Sequence, residues 1–192
     1  MQRLRVFIAI EVSSDVRARA QKIVQALSPA TNDVKWVEPQ NLHVTLNFLG
    51  DVELLDLPKL CKVMQEAVAD VPPFDVQFAG AGAFPSIDRP RTIWLGVKEG
   101  AEELRNLQQH LQSALGELGY RGESRLFQPH LTLGRVKGQD PVAARELALM
   151  LDELGDYPGG ATDVTDVVLF SSTMERRGPT YEALGDAPLA GK

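Results

Sequence analysis

The sequence predicts an α+β fold built on antiparallel strands, in two loosely duplicated halves. Three observations lead there. Runs rich in β-branched residues interleave with amphipathic runs of helical period. Several strand-like runs follow one another with only loops between them, which favours antiparallel pairing over a doubly wound parallel sheet. Each half also holds one strand with the pattern H-x-T, followed soon by a helix.

Residues 4–12, within RLRVFIAIEV, are the opening strand. Ser13, Ser14 and Asp15 supply N-cap candidates for a helix whose apolar stripe is Val16, Ala20, Ile23, Val24 and Leu27. SPATND is a loop, residues 34–37 a short strand, 42–49 the next strand and 56–69 the second helix. FDVQFAGAGAF reads as a strand that breaks down at its glycines, PSIDRPR as a polar loop, and TIWLGV as a strand. Residues 101–118 form a long helix with Leu104, Leu107, Leu111 and Leu115 on one face. A strand over 127–136 and a helix over 141–154 follow, then a turn-rich loop, DYPGGATD. VTDVVLFSS and PTYEAL close the chain as two strands joined through MERRG. With no low-complexity run, coiled coil or linker, residues 1–192 are expected to form a single domain.

Composition narrows the functions. Hydrophobic residues are 44% and charged residues 24% of the chain, ordinary for a globular protein. No stretch approaches the ~20 apolar residues that span a bilayer. The opening MQRLRVFIAIEV has a short apolar part and no small-residue cleavage site, so a cytoplasmic protein is expected. The single cysteine, Cys61, allows no internal disulfide and falls at helical spacing among apolar neighbours, as a buried helix residue would. The net charge of −6 argues against gripping long nucleic acid through many phosphates. A small phosphorylated ligand or one end of an RNA remains compatible.

The chain has three histidines, and two of them head an H-x-T, in NLHVTLNFLG and PHLTLGR. Alternation along a strand puts His43, Thr45 and Asn47 on one face and Leu42, Val44, Leu46 and Phe48 on the other, core face. It likewise pairs His130 with Thr132, opposite Leu131 and Leu133. If the two strands meet, two imidazoles can divide proton work, one as base and one as acid, and two hydroxyls can donate to anionic oxygens between them. In-line displacement at a phosphodiester asks for such a set. The pattern alone leaves shared chemistry and two unrelated structural histidines equally open. Neither histidine has a third ligand at metal spacing, so no metal or cofactor is expected. G-x-S-x-G is absent, which argues against a serine hydrolase. His110 lies one step off the leucine stripe and reads as helix surface.

The longer strings carry a resemblance. NLHVTLNFLG and FQPHLTLGR together resemble the two signatures of the two-histidine phosphoesterase superfamily. Within it, they look like the bacterial and archaeal RNA 2′,3′-cyclic phosphodiesterases, also called 2′-5′ RNA ligases. The resemblance spans nearly the whole chain. RLRVFIAIEV is similar to the family's opening strand. GAFPSIDRPRTIWLGV, with Phe84, Pro85, Arg91, Trp94 and Gly96, is similar to its middle segment. LFSSTMERRGPTYEAL, with Ser171, Gly178 and Tyr181, is similar to its closing hairpin.

The resemblance implies two pseudo-symmetric lobes whose antiparallel sheets face a central cleft, with helices outside and one H-x-T from each lobe. It implies metal-independent hydrolysis of RNA-terminal 2′,3′-cyclic phosphate to a 2′-phosphomonoester, with joining of RNA ends through a 2′-5′ linkage as the reverse. His43 would protonate the departing O3′ and His130 would take the proton from water; the chain's own pattern does not fix which is acid and which is base. Thr45 and Thr132 would hold phosphate oxygens. Arg135 would bind phosphate, although strict alternation puts it opposite His130 unless Gly134 allows a bulge; a salt-bridged strand-end arginine is the alternative. Phe127 is either a substrate contact or packing. Phe7 and Phe48 could stack on a base, against which stands Phe48's place on the core face. Arg176 and Arg177, in the closing turn, could meet the RNA backbone. A monomer without an obligate protein partner or membrane is expected. The alternatives are a phosphodiesterase for a small cyclic phosphate, such as ADP-ribose cyclic phosphate or a mononucleotide, and a non-catalytic RNA-end binding module; the intact histidines and threonines weigh against the latter.

Overall fold

The computed structural model describes residues 2–122, 126–138, 140–176 and 178–192. The elements run β1 (Arg3–Glu11), α1 (Ser14–Leu27), β2 (Val34–Trp36), β3 (His43–Glu53), α2 (Leu57–Val68), β4 (Phe74–Ser86), β5 (Arg89–Glu99), α3 (Ala101–Glu117), β6 (His130–Val136), α4 (Pro141–Glu153), β7 (Pro158–Val164), β8 (Asp166–Met174) and β9 (Pro179–Pro188). The strands form two antiparallel sheets, ordered β3-β1-β8-β9 and β2-β6-β5-β4-β7. The α+β architecture is as expected: two sheets face each other across a cleft, where β3 packs against β6, and helices cover the outer faces.

The halves are interlaced. β2 leaves the first half to edge the five-stranded sheet, and β8 and β9 return to the four-stranded one. α1 follows β1 yet packs on β7, while α3 follows β5 yet packs on α2 and β3. Local sequence explains the helices. Ser13 Oγ accepts the Val16 N–H at 3.2 Å and caps α1. Ser13 also donates its hydroxyl to the Ala161 carbonyl at 2.7 Å, so the cap ties α1 to β7. Val16, Ala20, Ile23 and Leu27 of α1 are buried, as are Leu104, Leu107, Leu111 and Leu115 of α3. Each fully buried leucine contributes roughly 1.5–3 kcal/mol.

Three expectations are corrected. The AGAGA run does not break its strand: β4 continues to Ser86 and absorbs its irregularities as register shifts between Gln77 and Ala81. PSIDRPR is a hairpin end, since Ser86 pairs with Arg89 and leaves only Ile87 and Asp88 to turn. DYPGGATD contains β7 from Pro158 onward. Its first glycine serves close packing: a Cβ on Gly159 would stand 2.7 Å from Phe78 Cβ.

Candidate active site

His43 opens β3 and His130 opens β6. Their local anchoring is the same. Nδ1 of His43 lies 2.7 Å from the Asn41 carbonyl oxygen, and Nδ1 of His130 lies 2.7 Å from the Gln128 carbonyl oxygen. A carbonyl only accepts, so each Nδ1 carries its hydrogen and each Nε2 is the nitrogen left for chemistry. Nε2 of His43 is 3.0 Å from Thr45 Oγ1.

Both H-x-T strands also bulge at the same point. In β3, Thr45 pairs with Ala9 but Asn47 pairs with Ile8, so Leu46 has no partner. In β6, Thr132 pairs with Trp94 but Gly134 pairs with Ile93, so Leu133 has none. One extra residue reverses the alternation beyond it. Phe48 and Arg135, each five residues after its histidine, therefore return to the histidine's face. Asn47 and Gly134 turn inward and are buried.

Two expectations fall with this. Phe48 is not on the core face: it pairs with Phe7 on the cleft side and is 49% exposed. Asn47 does not share the face of His43 and Thr45: it is 5% exposed and donates Nδ2–H to Gln112 Oε1 at 2.9 Å. The bulge considered for Arg135 is present, and its guanidinium forms no salt bridge among the described residues.

Aromatic rings hold each imidazole. Phe7 lies 4.9 Å from the His43 ring, and Tyr181 meets that ring edge-on at 5.2 Å and 86°. Phe7 also stacks on Phe170 at 5.4 Å and is 3% exposed, so it is a platform under His43 and has no free face for a base. Across the cleft, Phe84 meets the His130 ring edge-on at 5.0 Å and 90°.

Burial lowers the pKa of both imidazoles, against the pull of the carbonyl each one faces; Arg135 lowers that of His130 further. Burial raises the pKa of Tyr181, opposed by Arg135 and Arg5. Arg135 thus stands near both His130 and the tyrosine that touches His43.

A cavity of about 740 Å3 opens beside this set, lined by Phe48, Phe84, Arg91, Phe127, His130 and Arg135 among others. Phe127 is thus both a cavity wall and packed against the core. Sequence reasoning missed the roles of Phe84, Phe170 and Gln112, which depend on which strands and helices become neighbours. The remaining sequence candidates lie elsewhere. His110 is exposed on α3. Cys61 faces Gly185, and burial raises the pKa of its thiol, unlike an activated nucleophile. Arg176 is exposed in the β8–β9 turn, and Arg177 lies outside the described residues. Among the described residues, no three His, Cys, Asp or Glu side chains gather as metal ligands, and no helix is long and apolar enough to cross a membrane.

Comparison with known proteins agrees in kind. The family model described as the 2′-5′ RNA ligase superfamily matches residues 12–174. An RNA 2′,3′-cyclic phosphodiesterase of Methanothermobacter thermautotrophicus is 37% identical over 93% of this chain and 95% of its own. One from Aquifex aeolicus is 33% identical over the full length of both. Among solved structures, TT0787 of Thermus thermophilus superposes with a TM-score of 0.82 at 27% identity, covering 98% of this chain and 99% of its own. Escherichia coli LigT complexed with 3′-AMP does so with 0.78 at 25% identity and the same coverage.

Proposed function

The chain belongs to the 2′-5′ RNA ligase superfamily, and from that premise we propose that it is an enzyme hydrolysing RNA-terminal 2′,3′-cyclic phosphate to a 2′-phosphomonoester. The observation that carries this is the repeated unit: an imidazole with Nδ1 tied to a carbonyl, a threonine two residues on, and a bulge that returns a fifth residue to the same face. One such unit supplies half of an acid–base pair, and the molecule has two.

In this reading, His130 accepts a proton from water as the water oxygen bonds to phosphorus. The P–O3′ bond breaks, and His43 delivers a proton to O3′. The proximity of Arg135 favours neutral His130, which suits the base. Thr45 and Thr132 donate to the non-bridging oxygens and Arg135 offsets their charge. Phe48 and Phe127 flank the terminal base. The histidines carry the proton transfers themselves, so no step calls for a metal. The whole chain acts as one bilobal unit, a monomer working on RNA ends in the cytoplasm.

The test is incubation of a short RNA ending in 2′,3′-cyclic phosphate with excess chelator, followed by separation of 2′- from 3′-phosphate ends. The 2′-phosphate is expected alone. A mixture of both, or no turnover on oligonucleotide, mononucleotide and ADP-ribose cyclic phosphates alike, would sink the reading. In the latter case, tight binding of phosphorylated ends would leave a binding module.

A further inference from the structure

Beyond its bulge, β3 runs against the preferences of its own residues. Phe48 faces the cleft and is 49% exposed, while Asn47 faces inward and is 5% exposed. The regular register would do the reverse, burying the ring and returning the amide to the cleft. Burial stabilises an aromatic ring and penalises an amide, so the bulged register is disfavoured at both positions. Asn47 Oδ1 adds to this, since it is buried without a donor among the described residues. The bulge in β6 has no such conflict. There Gly134, without a side chain, is the residue turned inward, and Arg135, a cation, is the exposed one. Only the β3 bulge calls for a contact from outside its strand.

That contact comes from α3. Asn47 donates Nδ2–H to Gln112 Oε1 at 2.9 Å. Gln112 donates Nε2–H to the Tyr120 carbonyl oxygen at 3.4 Å. A carbonyl only accepts, so Tyr120 fixes which end of the Gln112 amide is turned to Asn47. Tyr120 is held in its turn by the end of α3, where its N–H donates to the Leu115 carbonyl at 3.1 Å. The chain then closes over the amide at Gly122, where a Cβ would overlap Gln112 Oε1. Asn47, Phe48, Gln112 and Gly122 all line the 740 Å3 cavity, so the relay runs along its wall.

We propose that Gln112 is a positioning residue: through Asn47 it holds β3 in the bulged register and so aims the Phe48 ring at the terminal base of the substrate. This rests on the reading of Phe48 given above. Gln112 acts through two other side chains and takes no part in the proton transfers. Its loss is felt where the substrate is held, and much less where the bond breaks.

The experiment reads the ring first and the reaction second. Phe48→Trp is introduced into the unaltered protein and into two variants, and iodide quenching of the new indole is measured after subtraction of the signal from Trp36 and Trp94. Gln112→Met keeps the length of the side chain and removes the acceptor. Asn47→Asp keeps the shape and sets acceptor against acceptor. Each should lower quenching at least about twofold, as the ring turns inward. On a cyclic-phosphate oligonucleotide, with Phe48 in place, Gln112→Met should raise KM about tenfold and change kcat less than about threefold. In a Phe48→Ala background the same substitution should change KM less than about twofold, because the ring it aims is gone. Adding Asn47→Leu to Gln112→Met should bring KM back to within about threefold of the unaltered protein, since leucine faces inward without help. Unchanged quenching in both variants overturns the proposal. So does a rise in KM of equal size with and without the Phe48 ring, which is what a merely structural glutamine would give. Absence of hydrolysis by the unaltered protein would remove the reading of the site, while the quenching result would still decide whether Gln112 sets the register.

Discussion

Each imidazole is buried against aromatic rings and tied through Nδ1, so its basicity and its aim are set by the same contacts. Burial disfavours the imidazolium, and both pKa values lie below the ordinary ~6.5. A reaction that needs one neutral and one protonated histidine peaks between the two values. The kcat/KM profile is therefore expected to be a bell centred below pH 6.5, with limbs belonging to the coupled pair. A peak above pH 7 would contradict this. Arg135→Ala should move the limb of His130 to higher pH, because a neighbouring cation is lost. His43→Ala and His130→Ala should each cost about 10²–10⁴ in kcat, measured on the same cyclic phosphate at a temperature where both variants remain folded. Phe48 is half exposed, so Phe48→Ala should leave stability nearly unchanged. It should weaken substrate binding by about 1–3 kcal/mol, read as a rise in KM.

The bulges belong to the strands, and they separate what the sequence reveals from what it conceals. His43, Thr45, His130 and Thr132 are legible because histidine is rare in this chain and two of the three share one pattern. The α3 stripe is legible because four leucines at helical spacing need no information from elsewhere. Phe48 and Asn47 are not, since alternation holds only while two strands stay in register. The extra residue at Leu46 is a property of the pairing with β1. β7 is hidden for a related reason: Gly159 looks like a turn until Phe78 lies against it. Gly134 tests the bulge in β6. A Cβ there would stand 2.7 Å from both the Trp36 ring and Val34 Cγ1 of β2. Gly134→Val should cost about 1–3 kcal/mol through overpacking. It should also lower kcat by displacing Arg135, with calorimetry and kinetics read on one preparation.

Across the whole molecule, the four-stranded sheet bears the His43 group, and α2 and α3 back it. Leu107 is fully buried there, far in sequence from either histidine. Leu107→Ala should cost about 2–5 kcal/mol, seen as a fall in the denaturation midpoint, while the protein that remains folded keeps its kcat. The interlacing of the halves has a further result. β1 cannot complete its hydrogen bonding until β8 arrives, since Phe7 pairs with Phe170. The His43 ring lacks its T-shaped contact with Tyr181 until β9 arrives. During synthesis, the ribosome must have passed β9 before the aromatic group around His43 can assemble. A chain cut before β8, even one carrying both H-x-T strands, is thus expected to be inert toward RNA, an outcome that a truncated product assayed on the same cyclic phosphate checks.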